Sequence, residues 1–283
     1  MKADRIAMGF IATAVLFSVV AVDHYWAKGF FSAALLSVIA FTAALETCAV
    51  LEAAGMPAFK RSTALASFVV ALVPAIAPRF WQNMSPFALQ AGIIFGFMIL
   101  TFVFSMRCED LARGARGVAA GTFTLVYVGL ALSFLVRVRH FGKFGEPLLL
   151  FAIGCAKLGD VGAYFVGKTV GRHALAARLS PKKTIEGAFG GLLGSVVAAL
   201  IMWPYVKAQV SLATFVVWSL VLGAAAQLGD LAESVLKRAG AVKDSSPAFG
   251  TMGGVLDLVD SLLLSAPVAY ILALSGGFGA FRE

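Results

Sequence analysis

The chain has 283 residues, of which 60% are hydrophobic and only 13% are charged, and its mean hydropathy is +0.90. A soluble domain of this length needs far more polar surface to cover its core, so the composition excludes that class and indicates an integral membrane protein. The formal net charge of +8 is explained by loops that contact anionic lipid headgroups, and the sequence contains no soluble basic domain that would bind nucleic acid.

Long, continuous apolar segments predict an all-α fold, a polytopic integral membrane bundle of about nine transmembrane helices. In chain order, the predicted helices are 6–22, 29–45, 63–80, 87–106, 117–136, 146–166, 187–206, 211–232 and 256–274. The first helix follows a short basic end, as in a signal peptide, but no clear small-residue cleavage site comes after it. We therefore interpret it as a retained first helix.

Basic residues are distributed unevenly between the two predicted sides of the membrane. Fifteen Lys and Arg residues lie at the N-terminus and in the loops near 46–62, 107–116, 167–186 and 233–255, whereas seven lie on the other side. The positive-inside rule therefore predicts that the N-terminus and these loops are cytoplasmic and that the C-terminus lies outside. The sequence is also compatible with a homodimer.

Four aspartates lie in or at the edge of apolar segments, namely Asp160, Asp230, Asp257 and Asp260. A carboxylate in that position is costly unless it is paired, coordinates a metal or faces a water-filled cavity. Asp257 and Asp260 are three residues apart, and Asp230 and Ser234 are four apart, so each pair shares one helix face. Oxygen ligands from two helices suit a hard cation such as Mg²⁺. Glu46 and Glu52, by contrast, are interpreted as residues at a helix boundary.

Two lysines follow a pattern that is typical of a helix start. Ser180 and Pro181 suit the N-cap and the first helical position, which places Lys182 and Lys183 in the first turn of the predicted helix 187–206. Cations are unfavourable at that end of a helix unless an anion docks there. The pair therefore indicates a phosphate-binding turn.

The segment 234–260 combines further cations with glycines. Its basic residues are Lys237, Arg238 and Lys243, and Gly253 and Gly254 precede a predicted helix whose N-terminus favours an anion. Together with the acidic residues, these groups suit a metal–phosphate site. A transport pathway and a set of structural ion pairs remain open on residue types alone.

The run from Ser234 to Asp260 resembles the signature of the phosphatidate cytidylyltransferases, or CDP-diacylglycerol synthases. The matching positions are Ser234, Lys237, Arg238, Lys243, Asp244, Gly253, Gly254, Asp257 and Asp260. Three further stretches agree in order, GDVGAYFVGKTVGRH (159–173), LSPKKTIEGAFGG (179–191) and QLGDLAESVLKR (227–238). The chain is therefore divided into N-terminal membrane helices, 1–140, and a motif-bearing membrane region, 141–283, within one continuous helical unit.

The chain departs from the family pattern at four positions. Met252 stands where the family usually has His, and Leu258 stands where it usually has Arg. Lys157 replaces a frequent Trp, and Val161 replaces a Thr. Either other cations such as Lys157 compensate for the missing His and Arg, or the activity is altered. Because the acidic residues and the lysine pairs are intact, we expect an active enzyme.

The resemblance implies a nucleotidyltransferase that transfers CMP from CTP to phosphatidate, giving CDP-diacylglycerol and pyrophosphate, in phospholipid biosynthesis. It implies Mg²⁺, with room for a second cation, and an active site that faces the cytoplasm from the inner or plasma membrane. The implied metal ligands are Asp230, Asp257, Asp260 and Asp244. The implied catalytic residues are Asp230, Asp257, Lys237, Arg238 and Lys243. The implied substrate-binding residues are Lys182, Lys183, Ser234, Asp160, Gly253 and Gly254.

Three other functions are compatible with parts of the sequence. A catalytically impaired family member acting as a lipid-binding scaffold would account for Met252 and Leu258. An ion-coupled transporter would use the intramembrane aspartates as a cation relay, although we detect no inverted repeat of the kind such transporters carry. A lipid or polyprenol kinase would also need a metal and lysines, and a nucleotide and product assay separates it from the first interpretation.

Overall fold

The computed structural model describes residue 23 and residues 29–81, 83–246 and 253–278. Nine α-helices and one two-stranded antiparallel sheet occur in these ranges. The helices are α1 (Phe30–Ala53), α2 (Lys60–Phe80), α3 (Pro86–Ser105), α4 (Leu111–Thr124), α5 (Ala131–Arg139), α6 (Gly145–Val170), α7 (Ile185–Met202), α8 (Leu212–Ala239) and α9 (Val255–Ser275). The strands are β1 (Ala174–Ala176) and β2 (Ser180–Thr184).

Eight helical segments of the described ranges are long and apolar enough to cross a membrane. They are one fewer than the nine helices because a π-helical turn, Leu125–Leu130, joins α4 and α5 into one segment. The predicted all-α, polytopic membrane bundle is therefore confirmed, with the small sheet as an addition. The predicted helix 6–22 lies outside the described residues. α8 extends past the predicted end at residue 232, so Lys237 and Arg238 lie in its last turn.

The chain divides into two compact units. Met1–Arg137 and Leu236–Val259 form the first, and Val138–Val235 and Asp260–Glu283 form the second. The boundary crosses α5 after Arg137, α8 after Val235 and α9 after Val259, so each of these three helices contributes to both units. The division predicted at residue 140 from the motifs stays a prediction.

Within the first unit, a side chain of α3 donates a hydrogen bond to a backbone carbonyl of α2 that lacks its helical partner. Pro74 lies inside α2 and has no N–H, so the carbonyl of Val70, four residues earlier, lacks its helical donor. The side chain of Gln90 on α3 supplies one, with Nε2 2.7 Å from that carbonyl oxygen. Gln90 also accepts a hydrogen bond from Arg137, whose guanidinium lies 3.5 Å from the centre of the Phe87 ring.

We expect Gln90→Leu to destabilise the protein by about 1–3 kcal/mol, because the Val70 carbonyl and the Arg137 guanidinium both lose a buried partner. Thr101→Val on the same helix is the control. The Thr101 hydroxyl bonds only to carbonyls of its own helix, at 2.9 Å, so its loss should cost less. Unfolding in detergent by heat or denaturant measures both, and equal losses would contradict the role given to Gln90.

In the second unit, α6 and α7 approach each other along glycines. A Cβ on Gly190 would strike the Val166 side chain, and one on Gly162 or Gly194 would strike the backbone carbonyl of Gly190 or Leu158. Small residues let two membrane helices pack backbone to backbone. In lipid the hydrophobic effect does not drive helices together, so these close van der Waals contacts stabilise the pair instead. This close packing places α6 and α7 side by side, next to the short sheet that joins them.

The short sheet overturns the predicted helix start at Ser180. Residues Ser180–Thr184 form strand β2, which pairs with β1 in the register Ala174↔Thr184. The helix begins only at Ile185, with Thr184 as N-cap, because the Thr184 hydroxyl accepts from the backbone N–H of Gly187 at 3.1 Å. Lys182 and Lys183 therefore lie on a strand rather than in the first turn of a helix.

Candidate active site

Three carboxylates of the second unit form one group, which we call the carboxylate group: Asp230 and Glu233 on α8 and Asp260 on α9. One ligand oxygen from each lies within 4.8 Å of the others. Glu233 is 0% exposed and Asp260 is 9% exposed. Gly229 allows the approach of the two helices, since a Cβ there would lie 2.5 Å from the carbonyl oxygen of Asp260. Buried carboxylates this close repel one another unless cations lie among them.

Two lysines border the carboxylate group. Lys183 on β2 forms an ion pair with Asp230. Lys157 on α6 has its Nζ 3.6 Å from Oδ2 of Asp160 and 3.5 Å from the Ser261 hydroxyl, next to Asp260 in the chain. With Asp160 included, four carboxylates and two ammonium groups have a formal charge of −2. A divalent cation would balance that charge, and the three clustered carboxylate oxygens are the ligands that Mg²⁺ prefers.

A pocket of about 400 Å³ lies in the second unit beside these charges. It is lined by residues of α6, the sheet, α7 and α8, among them Asp160, Tyr164, Lys168, Lys182, Lys183, Gln227 and Asp230. Three lysines and two aspartates thus line one pocket. This mixture of charges suits a ligand that carries several negative charges together with a metal ion.

The sheet that carries two of the pocket lysines is tied to α7 by Glu186. The Glu186 carboxylate accepts from the backbone N–H groups of Arg172 and His173 at 3.0 and 3.2 Å, and it lies 2.5 Å from Nδ1 of His173. The N–H of Ile185 donates to the His173 carbonyl at 2.8 Å. These bonds hold the backbone on which Lys182 and Lys183 stand.

A second polar cluster lies in the first unit, around Asp257 at the start of α9. Oδ1 of Asp257 lies 2.6 Å from Nζ of Lys237, and the two side chains are only 11% and 14% exposed. Oδ2 accepts from the Ser245 backbone N–H at 3.0 Å and hydroxyl at 2.6 Å. The Ser245 hydroxyl also lies 3.0 Å from a carboxylate oxygen of Glu46 on α1. We call these four side chains the Asp257 cluster.

The carboxylates of Asp257 and Glu46 also lie at the N-terminus of α9. The N–H of Gly254 donates to Asp257 at 2.7 Å, while those of Val255 and Leu256 donate to Glu46 at 3.1 and 2.7 Å. The sequence predicts an anion at this helix end, and in the structure these amides already bind protein carboxylates. Gly253 has φ +88°, a conformation that L side chains rarely adopt.

The structure brings some predicted site residues together and leaves others apart. Asp230 and Asp260 are in the carboxylate group, and Asp160, Lys182 and Lys183 line the pocket.

Other predicted site residues lie outside these two features. Ser234 is half-buried on α8, whereas Arg238, Lys243 and Asp244 are exposed. Among the described residues, neither Asp257 nor Asp244 belongs to a group of three or more carboxylates whose oxygens lie close enough to share a metal. Their assignment as ligands stays a prediction, as do the other assigned roles, and Met252 lies outside the described residues.

Two acidic residues of these clusters were not among the predicted site residues. Glu233 lies three residues after Asp230 in an apolar helix, so the spacing used for Asp257 and Asp260 could have identified it. Glu46 was interpreted as a boundary residue, and nothing in the local sequence signals its contact with residues about 200 positions away.

Comparison with known proteins supports the resemblance found in the motifs. A family model described as the cytidylyltransferase family matches residues 3–275. The chain is 35% identical over 151 residues to a protein of Bacillus subtilis named phosphatidate cytidylyltransferase, covering 53% of this chain and 56% of that one. It is 40% identical over 157 residues to the protein of that name from Aquifex aeolicus, covering 55% and 57%. These alignments span little more than half the length of those relatives.

A third alignment extends over nearly the whole chain. A phosphatidate cytidylyltransferase of Synechocystis sp. is 28% identical over 301 residues, covering 95% of this chain and 96% of that one. The resemblance predicted from residues 159–260 is thereby confirmed. Because the family model matches nearly all of the sequence, the chain belongs to the cytidylyltransferase family.

Proposed function

We propose that the protein transfers CMP from CTP to phosphatidate, forming CDP-diacylglycerol and pyrophosphate in a metal-dependent step of phospholipid biosynthesis. The observation that carries the proposal is the pocket of the second unit, where three lysines line a cavity beside carboxylates whose formal charge with their lysine partners is −2. Both substrates are polyanions, so lysines and a metal site are the groups that their encounter needs.

The covalent change needs little from the side chains. A phosphate oxygen of phosphatidate, already ionised near neutral pH, forms a bond to the α-phosphorus of CTP. The bond from that phosphorus to the oxygen bridging to the β-phosphate breaks, and pyrophosphate leaves with its electron pair. No general base is required, so the protein contributes by holding two like-charged reactants together and by neutralising the leaving group.

The residues of the carboxylate group fit Mg²⁺, because they offer three hard oxygen ligands at one point where the net charge is negative. Asp230, Glu233 and Asp260 would hold the ion, which when bound neutralises phosphate charge. Lys182 and Lys183 would contact the triphosphate from the sheet, and Lys168 borders the same pocket. Roles for Lys237, Arg238 and Lys243 at phosphates follow the family resemblance.

The placement in the membrane follows from the substrates. CTP is a cytoplasmic solute, and the loops that carry the motifs have the excess of basic residues expected on the cytoplasmic side. Phosphatidate would enter with its headgroup from the bilayer while its acyl chains stay in lipid. The expected second cation and homodimer stay predictions.

The test is a product assay with the purified protein in detergent. With phosphatidate, Mg²⁺ and CTP labelled at the α-phosphate, we expect labelled lipid that EDTA abolishes. CTP labelled at the γ-phosphate should leave the lipid unlabelled and place its label in pyrophosphate. Lipid labelled only from the γ-phosphate would instead indicate a kinase. A folded protein that forms no labelled lipid with several phosphatidates and divalent ions would contradict the proposal and favour a lipid-binding scaffold.

A further inference from the structure

We infer that Glu46, on a helix far from the motifs in sequence, positions the Asp257 cluster for the reaction. This inference rests on the proposed function, in which Lys237 contacts a substrate phosphate. Glu46 is a positioning residue here, because it touches other side chains and backbone amides rather than the reacting atoms.

The first step of the argument is the number of bonds that converge on one carboxylate. Glu46 accepts from the backbone N–H groups of Val255 and Leu256, and one of its oxygens also lies 3.0 Å from the Ser245 hydroxyl. It therefore joins α1, the segment after α8 and the first turn of α9. Within the first unit, a single side chain ties α1 to two neighbouring segments that lie about 200 residues later in the sequence.

The second step is the path from Glu46 to a cation. The Ser245 hydroxyl lies between Glu46 and Asp257, and it is closer to Asp257, at 2.6 Å. Asp257 in turn lies 2.6 Å from Nζ of Lys237. Because Ser245 has one hydroxyl proton and two carboxylate neighbours, its orientation depends on both of them. A change at Glu46 thus reaches Lys237 through three successive contacts, Glu46–Ser245, Ser245–Asp257 and Asp257–Lys237.

The third step is the space around Gly254. A Cβ on Gly254 would strike the carboxylate of Glu46, and the three nearest atoms are all from that carboxylate. The second glycine of the Gly-Gly pair is therefore required by Glu46. The N-terminal part of the chain, which carries no motif, thus contributes a residue that contacts Gly254 and the first turn of α9.

The kinetic test uses Glu46→Gln and Glu46→Asp. A matched control is Glu52→Gln, on the same helix, whose exposed carboxylate pairs with Lys60. In Glu46→Gln, an amide replaces one acceptor oxygen, so the site loses a partner for the α9 amides or for Ser245. We expect kcat per folded molecule to fall about tenfold, as one charge-assisted hydrogen bond would allow, with Glu46→Asp intermediate and Glu52→Gln unchanged.

Coupling separates positioning from a general loss of structure. If Glu46 acts through the serine hydroxyl, Glu46→Gln combined with Ser245→Ala should lower kcat little further than the larger single effect. Independent, multiplying effects would contradict the path. Product from the wild type together with a control-like kcat in Glu46→Gln would overturn this inference alone. No product from the wild type would overturn the proposed function, and this inference with it.

A stability measurement without substrate tests the contact itself. Gly254→Ala should lower Tm by several degrees in the wild-type background, because the added methyl group displaces the Glu46 carboxylate. In a Glu46→Ala background the space is vacated, so the same substitution should change Tm little. An equal loss of Tm in both backgrounds would show that Glu46 does not occupy this position, and would overturn the inference. Because this test measures Tm and not activity, it also applies to variants that are too unstable for kinetic measurements.

Discussion

Replacing Asp260 with Asn should lower kcat by about 100-fold or more, in line with the loss of a group that stabilises transition-state charge. The change keeps the side-chain volume and removes one charge from the carboxylate group that it forms with Asp230 and Glu233. Without ligands, the variant should be as stable as the wild type or more stable, because one of three mutually repelling carboxylates becomes neutral. Added Mg²⁺ should then stabilise it much less than it stabilises the wild type.

A loss of kcat without a loss of ligand-free stability would distinguish a metal ligand from a residue that only stabilises the fold. Steady-state kinetics of lipid product and Tm in detergent with and without Mg²⁺ provide both readouts. Glu109→Gln, an exposed residue before α4, is the control for removal of one charge. Wild-type kcat and normal stabilisation by Mg²⁺ in Asp260→Asn would contradict the site. The two carboxylate oxygens of Asp257 already bind Lys237 and Ser245 in the protein. Asp257→Asn in the same assay therefore tests separately whether Asp257 is also a metal ligand.

Replacing Lys183 with Gln should raise the KM for CTP by roughly 10- to 100-fold, the range of a charge-assisted hydrogen bond to phosphate. Lys183 lines the pocket on β2 and pairs with Asp230. A lysine in the first turn of a helix could be removed without loss of ligand-free stability. On the strand, its removal leaves Asp230 without this ammonium partner, so Tm without ligand should fall.

Two comparison variants interpret that result. Lys182→Gln, an exposed pocket residue on the same strand, should raise the KM with a smaller change in Tm. Lys207→Gln, an exposed residue outside the pocket, should change neither. If Lys183→Gln lowers Tm while the KM for CTP and the stabilisation by CTP stay at wild-type values, then the lysine only balances Asp230 and the phosphate role is wrong.

The physical account of the motif glycines changes once the structure is considered. Gly253 and Gly254 precede a helix, a pattern that favours an external anion. In the protein, the carboxylates of Asp257 and Glu46 lie over this backbone and bind its amides. The pattern favours negative charge at this helix end, but it does not distinguish a bound ligand from a side chain that comes from another part of the chain, so the predicted anion site stays a prediction.

A similar ambiguity applies to Ser-Pro sequences. Ser85 and Pro86 do begin α3, with the Ser85 hydroxyl accepting from the Phe87 N–H at 3.2 Å. Ser180 and Pro181 begin a strand instead, because β1 offers backbone partners and Thr184 caps the helix later. The dipeptide is compatible with both outcomes, and the neighbouring segment decides between them.

The membrane class, the helical fold, the family and most of the charged residues of the candidate site can be predicted from the sequence itself. Each depends on local information, such as the length of apolar segments, the rarity of carboxylates within them and the spacing of motif residues. Asp230 and Asp260 of the candidate site are predicted from their places in apolar helices. Lys182 and Lys183 are predicted through the motif, because the helix start that also favoured them is wrong. Glu233 was within reach of the same reasoning, since it lies on the same helix three residues from Asp230.

Only the tertiary structure decided which charges share a cluster. The pairs Lys183–Asp230 and Lys237–Asp257 join elements whose approach depends on helix packing, as at Gly229, where the absence of a side chain lets α9 come close. Glu46 is the clearest case, because its partners are about 200 residues away. Ion pairs and hydrogen bonds act over a few ångströms in space, and separation along the chain carries no information about that distance once helices pack.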